Sequence, residues 1–191
     1  CHHDSQGPPL NSFLFDKQES EEIQYEQYAA QTLKAVQQTT ERFESLSLHG
    51  RLAIIVRDAE FREQLCPALE SGLQATYPDR FELATAAEAG QVVATSARQR
   101  RAQKERIVVD ALDQMDGMEW MIVICVGLDA HVDKSDGMAA AEARSKLYRG
   151  VTRAHMMVVA VNEYVKDGWL EFLMNVRLSD DPELSAREEE R

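Results

Sequence analysis

Four mostly apolar runs constrain the fold of this chain more than any other feature of its sequence. They cover residues 51–56, 106–110, 121–126 and 156–161. Strands that are apolar throughout are typical of parallel sheets, because helices cover both faces of such a sheet. Helical patterns lie between the runs. The sequence therefore predicts an α/β fold, a three-layer sandwich with a mainly parallel sheet.

The remaining segments suggest how the chain is divided. Residues 1–19 contain Gly and Pro and show no periodicity, so a linker or disordered end is predicted there. A domain is predicted over 20–178. Its first part, 20–48, is predicted as an added long helix, since apolar residues recur at helical spacing without Gly or Pro. The charged residues 179–191 are expected to form a loose tail.

Composition and cysteine content indicate the compartment in which the protein lies. The 191 residues carry a formal net charge of −12 and three cysteines. The cysteines are far apart and odd in number, and Cys125 stands within an apolar strand, so a disulfide framework is not expected. We expect an intracellular protein, in the cytoplasm or nucleus, and no membrane association.

Two motifs stand directly before two of the apolar strands. Residues 116–120 read Asp-Gly-Met-Glu-Trp and precede the strand at 121–126. Residues 148–154 read Tyr-Arg-Gly-Val-Thr-Arg-Ala and precede the strand at 156–161. In this order, the two blocks resemble motifs V and VI of UvrD/Rep-like superfamily 1 helicases, which lie in the second, C-terminal RecA-like domain. The resemblance implies a RecA-like P-loop NTPase fold.

The resemblance also implies roles for individual residues. It assigns Arg153 as a catalytic arginine finger, which stabilises charge on the γ-phosphate during hydrolysis. Glu119 would contact the ribose, and Gly117, Tyr148 and Thr152 would belong to the same nucleotide site. The ligand would be ATP with Mg²⁺, held mainly by an upstream RecA-like domain of the same protein.

Each of these residues also has a simpler interpretation. Arg153 could cap its helix or pair with a carboxylate, and Glu119 could be a surface residue that caps a turn. We predict instead that both project from the carboxyl-end edge of the sheet, where open α/β sheets bind ligands. Tyr148 is predicted to face the core, and Trp120 and Trp169 are predicted to pack within the fold or between domains.

The chain departs from the family pattern at three positions of motif V. The family usually has threonine, histidine and lysine where this chain has Ala111, Asp113 and Asp116. Two carboxylates at positions that face nucleic acid in the family oppose the binding of phosphates. The chain also has no phosphate loop of its own and no adjacent Asp-Glu pair. We therefore expect that it cannot hydrolyse ATP alone. The alternative is a degenerate, non-hydrolysing RecA-like module that acts as a regulatory or protein-interaction scaffold.

One basic segment interrupts the acidic composition. Residues 96–106 contain Arg98, Arg100 and Arg101, which form either a solvated face or a weak phosphate-contacting strip. DNA or RNA is a possible partner of the full protein, with weak binding expected for this domain alone. No metal site is predicted, because the Cys-His-His run at 1–3 and the loop at 133–137 lack the required spacing.

Overall fold

The computed structural model of this chain describes residues 11–90, 104–129, 137–166 and 168–170. The described strands are β1 (Asn11–Phe15), β2 (Leu52–Val56), β3 (Phe81–Ala84), β4 (Glu105–Ala111), β5 (Trp120–Val126) and β6 (Ala154–Glu163). The described helices are α1 (Glu21–Arg42), α2 (Ala59–Thr76), α3 (Ala86–Ala89) and α4 (Gly137–Val151), with a 3₁₀ helix at Leu112–Met115. Strands and helices thus alternate, as the apolar runs predict.

The six strands form one sheet in the order β1-β6-β5-β2-β4-β3, and every neighbouring pair is parallel. Ile124 in β5 lies opposite Ile54 in β2 on one side and Val159 in β6 on the other. The predicted parallel arrangement of the strands at 121–126 and 156–161 is confirmed, and so is the mainly parallel sheet.

Helices cover both faces of the sheet. Leu52, Ile54 and Val56 of β2 pack in the cluster formed with α1 and α2, whereas Ala53 and Ile55 pack on the opposite side with α4 and the 3₁₀ helix. Connections from β1 to β2 to β3 cross the sheet in one direction, and the later connections return in the other. A single hand of crossover requires their helices to lie on opposite faces. The three-layer α/β architecture is therefore confirmed.

Part of the segment predicted as a linker belongs to the sheet. Asn11–Phe15 forms β1, which pairs with β6, and Phe13 and Phe15 pack against the core. The prediction was wrong for these residues because a five-residue edge strand is too short to show a clear period. Its neighbour β6 supplies the pairing that makes it a strand. Residues 1–10 and 171–191, which include the predicted charged tail, lie outside the described residues.

Helix α1 is an integral layer of the domain rather than an addition to it. It links β1 to β2, and its Tyr28 and Val36 are buried in the same cluster as the sheet. The ring of Tyr28 meets Phe15 of β1 edge-on, with 4.8 Å between centroids. The apolar face of this helix is consequently occupied within the domain.

Asp58 caps α2, since its Oδ1 accepts a 2.8 Å hydrogen bond from the Phe61 backbone nitrogen. Within the part of the chain that the structure describes, no helix has the length and apolar character needed to cross a membrane.

Candidate functional site

The two motif loops meet at the amino end of the sheet. Glu119 directly precedes β5, and Arg153 directly precedes β6. The backbone nitrogen of Trp120 donates a 2.9 Å hydrogen bond to the carbonyl of Arg153, which joins the two loops. The structure thus brings Glu119 and Arg153 to one edge, as predicted. The prediction of the carboxyl-end edge was wrong, because a residue that precedes a strand lies at the amino end of that strand.

Arg153 contacts an acidic residue of the preceding loop. Its Nη2 lies 3.1 Å from Oδ1 of Asp116, and one fifth of its side chain is exposed. Its Nε is buried and has no hydrogen-bond partner among the described residues. Asp116 is itself half exposed, so Arg153 does not serve an internal carboxylate. The arginine lies at the surface of the edge with one nitrogen engaged.

Arg149, one turn earlier in α4, is held by two carboxylates. Its Nη2 lies 2.7 Å from Oδ2 of Asp116 and 2.9 Å from Oδ1 of Asp113. The hydrogen bond from Arg149 holds the pKa of Asp116 below its usual range, so Asp116 is ionised at neutral pH. Asp116 therefore bridges two arginines, one through each oxygen. No role was predicted for Arg149 from the sequence, although its i, i+4 spacing from Arg153 is visible there.

Glu119 is engaged on the other side of the same edge. Its Oε2 lies 3.1 Å from Nε2 of His155, and both side chains are more than half exposed. The turn before it depends on Gly117, whose φ of +78° is a conformation that favours glycine. Among the described residues, the Glu119 side chain makes no hydrogen bond that caps this turn. Its carboxylate is instead presented at the surface beside β6.

The other predicted residues occupy different surroundings. Thr152 donates from Oγ1 to the carbonyls of Tyr148 and Arg149, at 2.9 and 3.1 Å, and so ends α4 just before Arg153. Tyr148 is 68% exposed, which corrects the prediction that it faces the core. Leu147 turns towards the sheet, and the next residue projects about 100° further around the helix. Trp120 is buried and Trp169 is half-buried against Arg144, as predicted for packing residues.

Gly150 of α4 packs closely against residues at the end of β5. A Cβ added there would lie 2.5 Å from Cδ1 of Leu128 and 3.1 Å from Sγ of Cys125, both in buried residues. We expect Gly150→Ala to lower the free energy of unfolding by about 1–3 kcal/mol, the usual cost of overpacking a core. Urea unfolding measures this loss. Gly137→Ala is the matched control in the same helix, because no atom lies within 4 Å of its added Cβ. Equal stability of the two variants would contradict the expectation.

The basic strip is only partly described. Arg98, Arg100 and Arg101 lie outside the described residues. At its end, Lys104 lies 3.1 Å from Asp79, and Arg106 lies 2.6 Å from Glu82. These two cations are thus already paired with carboxylates of the same chain.

Within the described part of the chain, no group of three His, Cys, Asp or Glu side chains could hold a metal ion.

Three cavities of about 450, 640 and 360 Å³ lie between α2 and β3, between α1 and α2, and beside Arg57 and Glu163. None of these three is lined by Glu119 or Arg153. The charged cluster at the amino end comprises Asp113, Asp116, Glu119, Arg149, Arg153 and His155. It lies on the surface of the sheet edge and is separate from these cavities.

The likeness of this chain to known proteins is one of structure. No family model matches the chain, and no curated protein matches it. Among solved structures, the chain is similar to the C-terminal domain of a possible DNA helicase from Lactobacillus plantarum WCFS1. The two are 19% identical, the match covers 84% of this chain and 77% of that chain, and the TM-score is 0.46. A likeness of this degree assigns no role to any residue.

Proposed function

We propose that this chain is the C-terminal RecA-like half of a superfamily 1 helicase-like ATPase. Arg153 acts as an arginine finger, and Glu119 contacts the ribose of ATP–Mg²⁺ that an upstream RecA-like domain of the same protein mainly holds. The observation that carries the proposal is the adjacency of Glu119 and Arg153 at one edge of the sheet, joined by the hydrogen bond from Trp120 to Arg153. Both belong to the two blocks that resemble motifs V and VI.

The donor set at this edge suits a nucleotide. A guanidinium keeps its charge at physiological pH and can bind two phosphate oxygens at once. Asp116 contacts only Nη2 of Arg153, so the guanidinium has further capacity. The Glu119 carboxylate is an acceptor of the kind that ribose hydroxyls need. In this proposal the upstream domain supplies the ligands of Mg²⁺.

The chemistry proposed for this chain is electrostatic. Charge spreads over the equatorial oxygens of the γ-phosphoryl group in the transition state, and a positioned arginine stabilises it. Thr152 would fix the point at which the chain leaves α4 and therefore the position of Arg153. Gly117 would let the preceding loop turn so that Glu119 reaches the same edge. The phosphate loop and the residue that activates water would come from the upstream domain, since this sequence contains neither motif.

A second candidate is a non-hydrolysing regulatory or scaffold domain of the same fold. One observation favours it: Arg149 and Arg153 both lie beside carboxylates of this chain, and the imidazole of His155 lies beside Glu119. Asp116 also stands where the resembled motif has lysine. In this case the cluster would be a set of structural ion pairs, and nucleotide would not reach it.

Labelling with a photoreactive nucleotide separates the two candidates. We expect an ATP analogue with a benzophenone on its ribose to cross-link, in the full-length protein, to residues around Met118 and Glu119 at the amino end of β5. Excess ATP should abolish the label, and Glu119→Ala should weaken it. Glu22→Ala, an exposed glutamate at the start of α1, should leave it unchanged. Peptide mapping by mass spectrometry locates the label. Labelling confined to the carboxyl end of this sheet, or absent from this chain, would refute the proposal.

We propose an intracellular location and weak binding of single-stranded nucleic acid by this domain alone. The location is supported by Cys66 and Cys125, which are free thiols. Weak binding is supported by the net charge of −12, because an acidic protein repels a phosphate backbone. The ion pairs of Lys104 and Arg106 further reduce the positive charge available to such a strand.

A further inference from the structure

Asp116 occupies an unusual position among the charged residues of the amino end. Its two oxygens contact two different arginines: Oδ2 lies 2.7 Å from Arg149, and Oδ1 lies 3.1 Å from Arg153. Arg149 has a second carboxylate partner in Asp113, whereas Asp116 is the only salt-bridge partner of Arg153 among the described residues. The contact between Asp116 and Arg153 can therefore open while Arg149 stays paired and Asp116 stays anchored.

We propose that Asp116 is an autoinhibitory carboxylate that masks the guanidinium of Arg153 from the reacting phosphate until the contact between them opens. This inference rests on the proposed function and concerns the regulation of the same site. The Asp116 carboxylate offsets the positive charge that the γ-phosphate would use. The guanidinium has further capacity to donate, but it stabilises the transition state fully only once the Asp116 contact opens. The fraction of molecules in which Arg153 is free then scales the observed turnover.

The local geometry allows this exchange. Asp116 lies in a turn, directly before Gly117, and a Cβ added at Gly117 would meet no atom within 4 Å. The loop therefore has open space beside it. Arg153 is four-fifths buried along its side chain and its Nε is buried, whereas Asp116 is half exposed. Asp116 is therefore the short, exposed partner of this contact, and the side chain of Arg153 is held by the residues that bury it.

The test measures ATP turnover and ATP affinity of the full-length protein with Asp116→Asn, which keeps the shape of the side chain and removes its charge. We expect kcat to rise about fivefold, which corresponds to the upper end for an exposed ion pair, while the affinity for ATP stays unchanged. Asp113→Asn is the matched control. It removes a neighbouring charge and contacts Arg149 only, so its kcat should stay close to that of the parent. In an Arg153→Ala background, Asp116→Asn should have no effect.

The possible outcomes separate this inference from the proposed function. A rise in kcat with Asp116→Asn alone supports the inference, including the case in which the parent is inactive and the variant is active. A kcat that is unchanged or lowered, or an equal rise with Asp113→Asn, overturns the inference and leaves the proposed function in place, provided that Arg153→Ala abolishes turnover. If the parent and all variants neither bind nor hydrolyse ATP, the proposed function fails and the inference fails with it.

Discussion

An Arg153→Ala variant of the full-length protein is expected to hydrolyse ATP about 10³- to 10⁵-fold more slowly than the parent, the range found for arginine fingers. Its affinity for ATP should change by only a few fold, because the finger acts on charge that develops in the transition state. Steady-state turnover, together with equilibrium binding of a fluorescent nucleotide, measures the two quantities separately.

Two further variants make this result specific. Arg153→Lys keeps the charge and loses the planar fork, so it should recover only part of the turnover. Arg51→Ala removes another exposed arginine at the amino end of the sheet, next to β2. The Nη1 of Arg51 donates a hydrogen bond to the carbonyl of Ser47. Its turnover should match that of the parent. Turnover of Arg153→Ala within a few fold of the parent would remove Arg153 from catalysis.

Phe61→Ala is expected to lower the free energy of unfolding by about 3–5 kcal/mol, which is more than the loss expected for Gly150→Ala. The ring is 1% exposed and lies edge-on to Tyr25 and Tyr28, with centroids 5.2 and 4.9 Å away. It also packs against Gly127, where an added Cβ would lie 3.0 Å from Cζ. The substitution would open a cavity where α1, α2 and the end of β5 meet.

Urea unfolding of the variant checks this expectation, and Ile23→Ala provides a control from the same pair of helices. Ile23 is 46% exposed, so its loss should cost a small fraction of that amount. A loss below about 1 kcal/mol for Phe61→Ala would mean that the site collapses without a cavity. It would also contradict the assignment of α1 as an integral layer of the core.

The central strands are the part of the fold that is most visible in the sequence. β2, β5 and β6 are apolar on both faces, and this pattern has few explanations other than a covered parallel sheet. The edge strand β1 is different. It is short, and what makes it a strand is the hydrogen bonding that β6 offers. Such pairing depends on residues about 150 positions away and leaves no local pattern.

The candidate site also has a part that is visible in the sequence and a part that is not. The order of the two motif blocks predicts that Glu119 and Arg153 share an edge, because each block stands before a strand of one parallel sheet. That this edge is the amino end also follows from the direction of the chain, because both residues precede their strands. The prediction of the carboxyl end was wrong because it applied the general rule that open α/β sheets bind ligands at that end. The exposure of Tyr148 could not be predicted, since it depends on which side of α4 meets the sheet.

The sequence by itself determined the class of fold, the parallel direction of the central strands and the meeting of the two motif loops. These follow from apolar runs and from the order of elements, which are local properties. Only the tertiary structure decided the partners of Arg153. Asp113 and Asp116 are read from the sequence as charges that repel nucleic acid, and in the fold they lie within 3.1 Å of Arg149 and Arg153. An ion pair depends on distances between side chains from different elements, and packing alone sets those distances.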